Sequence, residues 1–182
     1  MPRYVAFLRA INVGGHTVTM AALRGHFEAL GYAGVETVIA SGNVVFDAAS
    51  KSPAALERKI AGHLEARLGY AVGTFLRAPA DLAAVAAHAP FPRKDLDTPG
   101  HGLYIGFLAT ELDAVARQRT LALATPLDAF RFRGRELYWL RRGRFSDSSD
   151  SAITGKALER ALGQPTTLRN ATTVRKIAAK YS

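Results

Sequence analysis

The sequence contains no cysteine and no long hydrophobic run. The first absence excludes disulfide bonds, thiolate nucleophiles and cysteine-ligated metal sites. The apolar stretch near the N-terminus, within residues 1–12, is too short for a signal peptide or a membrane span. We therefore expect a cytoplasmic protein with no membrane partner.

Acidic residues are scarce in the last part of the chain. Residues 1–130 contain 12 Lys and Arg against 11 Asp and Glu, whereas residues 131–182 contain 12 against 4. Such an excess of positive charge attracts nucleic acid, phosphorylated ligands or acidic partners. It is more typical of a solvated arginine-rich surface, because charge alone does not define a site.

The chain of 182 residues is 48% hydrophobic, which is enough for a packed core in one domain or two small ones. Helices are indicated between Thr19 and Gly31 and between Ser52 and Gly69, because these residues are typical helix caps. Short apolar runs typical of strands come before, between and after these helices: residues 3–10, 35–40, 44–47 and 71–78. The order β-α-β-β-α-β predicts an α+β, ferredoxin-like (split βαβ) half over residues 1–78.

Residues 79–182 show a similar order with less regular patterning. A short helix, a strand, a hairpin about Gly134, a polar loop, a helix ending at Gly163 and a last helix after Asn170 follow one another. The final strand of the repeating pattern is missing or reduced in this interpretation. We therefore predict a second ferredoxin-like half that is incomplete or modified and that carries a basic hairpin and C-terminal helices.

A polar, glycine-containing loop follows the first strand, and a second such segment separates the second and third strands. Gly42 and Asn43 suit a two-residue type II′ turn. In the split βαβ arrangement the first and third strands are antiparallel neighbours, so the two segments meet at one edge of the sheet. We expect a cleft there with six candidate ligand-binding residues: Arg9, Asn12, Gly14, Gly15, Ser41 and Asn43.

These residue types suit an anionic ligand. Arg9 offers a bidentate fork to a carboxylate or phosphate, and backbone N–H groups at Gly14 and Gly15 are unobstructed by side chains. The alternative is a scaffold, in which the glycines supply positive φ and Asn12 and Asn43 bond their own loops. The loop contains neither a Walker motif nor GxGxxG, so no nucleotide is specified.

A second basic region lies in the predicted hairpin, where arginine alternates with aromatic residues. Basic side chains interleaved with aromatics suit nucleic-acid backbones and bases. The alternative is a hairpin with one packed aromatic face and one solvated arginine face. The residues of this alternative nucleic-acid patch are Arg131, Arg133, Arg135, Tyr138, Arg141 and Arg142.

Three segments together resemble the bacterial domain-of-unknown-function family numbered 1697: LRAINVGG (residues 8–15), SGNVVF (residues 41–46) and TLRNATTVRKI (residues 167–177). The family pattern usually has Gly where this chain has Ala10, and commonly an aromatic residue where it has Ala171. The resemblance implies an α+β fold with two ferredoxin-like halves, and it implies no established activity, cofactor or substrate.

The resemblance adds Arg169, Asn170 and Thr173 as candidate ligand-binding residues, because they stand on family motif positions. Asn170 has an ordinary interpretation as the N-cap of the last helix, with Thr173 at the third helical position. The functional interpretation is a helix N-terminus aimed at an anion, with Arg169 beside it.

The function that these observations favour is binding of an anionic ligand at the cleft, either a small phosphorylated or carboxylated molecule or nucleic acid. An enzyme acting on a small anionic metabolite in the same cleft is the alternative, and no catalytic residue is indicated. The histidines show no metal-ligand spacing, so we expect neither a metal nor a cofactor. The oligomeric state is not indicated.

Overall fold

The computed structural model describes residues 1–39, 42–143 and 153–181. The chain divides into two compact units, Met1–Ala84 with Lys176–Ser182, and Val85–Arg175. Within the described residues, each unit contains a four-stranded antiparallel sheet together with helices. The predicted α+β class is therefore confirmed.

The first unit follows the predicted order of strands and helices: β1 (Arg3–Arg9), α1 (Met20–Ala29), β2 (Ala33–Thr37), β3 (Asn43–Asp47), α2 (Pro53–Leu68) and β4 (Gly73–Arg77). Its strands lie in the order β2-β3-β1-β4. The central strand β1 is therefore hydrogen-bonded to both β3 and β4, and each pairing is antiparallel.

The helix boundaries of this unit follow from its capping residues. The Thr19 hydroxyl accepts a hydrogen bond from the backbone N–H of Ala22 at 3.1 Å and so begins α1. Ser52 caps α2 and Pro53 occupies its first turn, while Gly69 ends it at a φ of 81°. These were the boundaries that the cap residues predicted.

One face of the first sheet packs against α1 and α2. Alternate residues of β1 point to this face because side chains alternate along a strand. They meet apolar side chains that recur every three or four residues along the helices. The buried cluster includes Tyr4, Ala6, Leu8, Leu23, Phe27, Val44, Phe46, Leu56, Ile60, Leu64 and Leu76.

The predicted two-residue turn at Gly42 and Asn43 is wrong. Asn43 is the first residue of β3 and pairs with Phe7 of β1. Its carbonyl also accepts a hydrogen bond from the backbone N–H of Val38 at 2.9 Å, so the connection between β2 and β3 is longer. Gly42 nevertheless has a φ of 90°, and a positive φ is what a type II′ turn requires at its first central residue.

The remaining elements are α3 (Pro79–Ala87), α4 (Arg93–Leu96), β5 (His101–Phe107), α5 (Ala114–Leu121), β6 (Asp128–Arg133), β7 (Glu136–Arg142), α6 (Gly155–Leu162), β8 (Thr167–Asn170) and α7 (Ala171–Tyr181). The second sheet has the order β6-β7-β5-β8. The strand expected to be missing or reduced is therefore present as β8, which has 4 residues. This segment is too short and too polar to show the alternation or the apolar run by which a strand is predicted from sequence.

A buried hydrogen-bonded network joins β6 and β7 in the second unit. Asp128 and Arg141 are only 1% and 2% exposed at their side chains, and their oxygen and nitrogen atoms are 3.0 Å apart. The same carboxylate accepts hydrogen bonds from the indole N–H of Trp139 at 2.9 Å and from the Thr125 hydroxyl at 2.7 Å. Asp128 thus accepts hydrogen bonds from two buried donors, Trp139 and Arg141, and from the partly buried Thr125.

We expect Asp128→Asn to lower the free energy of unfolding by about 3–5 kcal/mol, because it removes a charged partner from a buried guanidinium. Denaturant unfolding measures this change. Glu28→Gln is the matched control, since Glu28 pairs with Arg24 on an exposed helix surface. That variant should lose at most about 0.5 kcal/mol. Equal losses in the two variants would contradict the role given to Asp128.

Two half-buried histidines have lowered pKa values, and burial is the largest cause in each case. Burial is the largest cause that lowers the pKa of His63, and His26, Arg67 and Lys59 add charge repulsion. The His26 and His63 rings meet edge to face, with centroids 5.6 Å apart. In the second unit, burial and then Arg133 lower the pKa of His88. Protonation therefore favours the unfolded chain at both positions.

We expect the free energy of unfolding to fall as the pH is lowered from about 7.5 to about 5.5, where unfolded imidazoles take up protons. The sign follows from the depressed pKa values of the folded state: the unfolded chain binds more protons below its own imidazole pKa. Denaturant unfolding across this range tests the slope. The double variant His63→Gln/His88→Gln should flatten it, and an unchanged slope would refute the assignment.

Candidate functional site

The loop after β1 and the connection before β3 meet at one edge of the first sheet. Phe7 pairs with Asn43, and the backbone N–H of Leu8 donates to the carbonyl of Gly42 at 2.8 Å. The antiparallel arrangement of β1 and β3 predicted this meeting. Of the candidate residues there, Ser41 lies outside the described residues.

The two asparagines at this edge bond to their own loops. The Asn12 side-chain oxygen accepts a hydrogen bond from the backbone N–H of Val18 at 2.7 Å. The buried Asn43 amide donates to the carbonyls of Val38 and Ile39, both at 3.1 Å. Both asparagines line a cavity of only about 20 Å³, which has room for about one water molecule. These contacts support the scaffold interpretation of Asn12 and Asn43.

Tyr70 anchors the loop after β1. Its hydroxyl donates to the carbonyl of Ile11 at 2.7 Å, and the His16 ring stacks on its ring with centroids 3.9 Å apart. No local pattern in the sequence indicates this role of Tyr70. Only the strand pairing places Tyr70 near this loop. Tyr70 precedes β4, and the start of β4 pairs with the end of β1, at Gly73 and Arg9.

Arg9 of β1 pairs with Gly73 of the neighbouring strand β4. The aliphatic part of the Arg9 side chain lies close to where a side chain at position 73 would be. A Cβ atom added at Gly73 would lie 3.2 Å from the Cβ atom of Arg9. Arg9 is not among the described residues that line the small cavity with Asn12 and Asn43. Gly14 and Gly15 have φ values of 63° and 83°, with no atom within 4 Å of an added Cβ.

Two residues other than glycine adopt positive φ in the described part of the chain. Ala10 has a φ of 62° and Ile39 a φ of 47°. They belong to the two connections that meet at this edge, and each costs about 1–2 kcal/mol relative to ordinary backbone. The φ at position 10 gives a physical reason for the glycine in the family pattern, since glycine adopts this conformation without strain.

The third candidate segment belongs to the second unit. The Asn170 side-chain oxygen accepts a hydrogen bond from the backbone N–H of Thr172 at 2.8 Å, so Asn170 is the N-cap of α7. Thr173 is the third residue of that helix and is half-buried. The Arg169 guanidinium donates to Thr167 Oγ1 and to the carbonyl of Leu168, and burial lowers the pKa of Arg169 to about 10.

A cavity of about 490 Å³ lies beside the start of α7, within the second unit. Its volume falls in the range of about 300–1,000 Å³ that is typical of small-molecule sites. The polar residues that line it come from α4 and the residue after it, from the start of β5, from the end of β8 and from the first turns of α7: Arg93, Asp97, His101, Asn170, Thr172 and Arg175. Of these, only Asn170 was a candidate from the sequence.

Charged groups at this cavity are exposed and therefore accessible. Arg93 pairs with Asp97 at 3.2 Å, with 93% and 68% of their side chains exposed. His101 Nδ1 lies 2.7 Å from the carbonyl of Asp95. Because a carbonyl oxygen only accepts hydrogen bonds, His101 Nδ1 is the donor in this contact. Arg175 is exposed and forms no ion pair with a described residue.

Fewer residues of the basic hairpin are exposed to solvent than the sequence indicated. Arg141 is buried with Asp128, and Tyr138 is 1% exposed with its ring edge against His88. The burial of Tyr138 and Arg141 favours the packed-hairpin alternative for these two residues. Ordinary alternation would expose one face of β7, yet its residues are buried on both faces from Glu136 to Arg141.

The other hairpin arginines bind protein groups or lie exposed. Arg131 lies over the Phe91 ring at 5.2 Å and donates to the carbonyl of Phe130 at 2.8 Å. Arg133 is exposed. Arg135 donates to a backbone carbonyl at 3.4 Å, and Arg142 does so at 3.3 Å and lies 3.8 Å from the Asp95 carboxylate.

Comparisons with known proteins place the chain in a family. A family model described as "Protein of unknown function (DUF1697)" matches residues 1–138, so the protein belongs to this family and the resemblance is confirmed. The chain is also similar to a solved structure, the conserved bacterial protein SP0830 from Streptococcus pneumoniae. The identity is 25%, the coverage is 100% of this chain and 99% of that chain, and the TM-score is 0.77.

No curated protein matches the chain. Within residues 1–39, 42–143 and 153–181, no helix is both long enough and apolar enough to cross a membrane. The same residues contain no cluster of three or more histidine, aspartate or glutamate side chains that could hold a metal ion.

The positive φ at position 10 generates a paired prediction. Ala10→Gly should raise the free energy of unfolding by about 0.5–1 kcal/mol, because relief of left-handed strain exceeds the added entropy of the unfolded chain. Gly14→Ala should lower it by about 1 kcal/mol for the converse reason. Denaturant unfolding measures both. A loss of stability in Ala10→Gly would show that the backbone at position 10 is not strained.

Proposed function

We propose that the protein binds a small anionic molecule, phosphorylated or carboxylated, in the cavity beside α7. The observation that supports this most strongly is the cavity itself, whose wall combines a helix N-terminus with Arg93 and Arg175. Cationic side chains and free backbone N–H groups are the donors that anions prefer in proteins.

The N-terminus of α7 supplies the first donors. α7 has 11 residues, and Asn170 caps the N–H group of Thr172. The N–H groups at the start of a helix have no partner within the helix, and the helix dipole favours negative charge there. Ala171 and Thr172 line the cavity, so this end of the helix is presented to a ligand.

The two arginines supply charge and geometry. Arg175 lies one turn into α7 and carries a planar fork that matches a carboxylate or phosphate. Arg93 pairs with Asp97 on an exposed surface, where such a pair contributes little stability. An anion can therefore engage Arg93 without disrupting a buried contact.

Two further interpretations belong to this proposal. The sheet orders β2-β3-β1-β4 and β6-β7-β5-β8 support two ferredoxin-like halves, which we assign to residues 1–78 and 79–182.

We assign the first-unit residues Arg9, Asn12, Gly14, Gly15 and Asn43 to the support of their loops, because Asn12 and Asn43 bond backbone groups and the enclosed space is small.

Calorimetric titration with inorganic phosphate and pyrophosphate at constant ionic strength tests the proposal. We expect saturable binding that Arg175→Gln weakens about tenfold, through loss of a charge-assisted hydrogen bond. Lys176→Gln is the matched control, because it removes the same charge from the next residue of α7, which is not among the residues that line the cavity. The control should bind like the unaltered protein. Heats that do not saturate, or equal weakening in both variants, would refute the site.

A further inference from the structure

The wall of the cavity beside α7 is apolar over part of its extent. The apolar residues come from the segment between α3 and α4, from α4 itself and from β5: Ala89, Phe91, Leu96 and Leu103. Leu96 and Leu103 are half-buried, so their side chains retain contact with solvent. A ligand body that packs against them removes this apolar surface from water, which is favourable.

Phe91 is the fixed part of this apolar wall. The residue is only 6% exposed, so packing holds its side chain in place. The Arg131 guanidinium lies over the ring, 5.2 Å from the centroid, which is a cation–π distance. A side chain that is already held loses little conformational entropy when a ligand binds. Phe91 therefore offers a preformed contact to an apolar or aromatic ligand body.

The cavity is larger than an inorganic anion needs. Its volume is about 490 Å³. A phosphate group has five heavy atoms, and at about 30 Å³ each, the share of a water molecule in the liquid, they fill at most about 150 Å³. The six atoms of an aromatic ring add about 180 Å³ on the same basis. The cavity therefore has room for a phosphate group together with a ring.

The charged groups of the wall favour one phosphate group over several. Arg93 and Arg175 each carry a planar fork that matches a phosphate. Asp97 lines the same cavity, and its carboxylate lies 3.2 Å from the Arg93 guanidinium. A second anionic group in the cavity would be repelled by this carboxylate. The wall therefore suits a ligand with a single anionic group and an uncharged remainder.

We propose that the ligand of this cavity is a phosphate monoester whose organic part is an aromatic ring. The phosphate group binds Arg93 and Arg175, and the ring packs against Phe91, Leu96 and Leu103. A phosphate monoester suits two guanidinium groups better than a carboxylate does, because it carries a charge of about −1.5 to −2 and three acceptor oxygens. This inference rests on the proposed function, since it names the ligand class of the same site.

Titration of the full-length protein with phenyl phosphate, inorganic phosphate and phenol, followed by amide NMR, tests the proposal. We expect phenyl phosphate to bind about tenfold more tightly than inorganic phosphate, because burial of the ring adds to the same ionic contacts. Phenol lacks the charge and should bind more weakly than phenyl phosphate. Phenyl phosphate should shift the signals of Leu96, Leu103 and Thr172 saturably, whereas inorganic phosphate should shift only that of Thr172 among these three.

The failure of this ligand class and the failure of the anion site give different results. If both phosphate compounds bind with equal affinity, or if phenyl phosphate leaves Leu96 and Leu103 unshifted, the ligand class is overturned and the anion site stands. If neither phosphate compound shifts the signal of Thr172 saturably, the anion site is refuted and the ligand class is overturned with it.

Leu96→Ala isolates the apolar contact. This variant should bind phenyl phosphate about fivefold more weakly, because it removes apolar surface beside the ring. Its affinity for inorganic phosphate should be unchanged, which also shows that the variant is folded. Leu121→Ala is the matched control, because Leu121 is 44% exposed on α5 and is not among the described residues that line the cavity. Unchanged affinity of Leu96→Ala for phenyl phosphate, or equal weakening in both variants, would overturn the proposal.

Discussion

The pairing of β5 with β8 is the constraint on which the cavity of the second unit depends. The register places Asn170 opposite Tyr104, and the strands are antiparallel. The chain that leaves Asn170 therefore passes the start of β5, at His101, just as α7 begins. A slip of one residue would turn the side chains of β8 to the opposite face. The position of the helix N-terminus beside Arg93 is thus a consequence of four paired residues.

The order of elements could be predicted from the sequence because it rests on local chemistry. Thr19, Ser52 and Gly69 cap helices through contacts with residues a few positions away, and a single sequence contains that information. The strand β8 was not evident because its pairing with β5, rather than its composition, makes it a strand. The role of Tyr70 was not evident for the same reason, since its contact with Ile11 joins residues that are 59 positions apart.

The basic hairpin shows why charge counted along a sequence overestimates charge at a surface. The excess of Lys and Arg in residues 131–182 indicates a region that could attract nucleic acid. Arg141 is nevertheless buried, and Asp128 offsets its charge. Strand alternation predicts one solvated face, but it fails for β7, which is buried on both faces over most of its length. A buried arginine balanced by a carboxylate presents no free charge at the surface that could attract nucleic acid.

The motifs that carry the family resemblance coincide with positions where the backbone makes the strictest demands. Ala10 and Gly14 adopt positive φ, while Asn12, Asn43 and Asn170 bond to backbone groups of their own loops or helix. Such demands follow from the fold alone. The wall of the cavity beside α7 draws on residues inside and outside these segments: Asn170, Ala171, Thr172 and Arg175 lie in the third segment, whereas Arg93, Asp97 and His101 lie in none of the three. The third segment therefore forms part of the wall of this cavity as well as capping α7, so the motif positions and the cavity are not separate features of the chain.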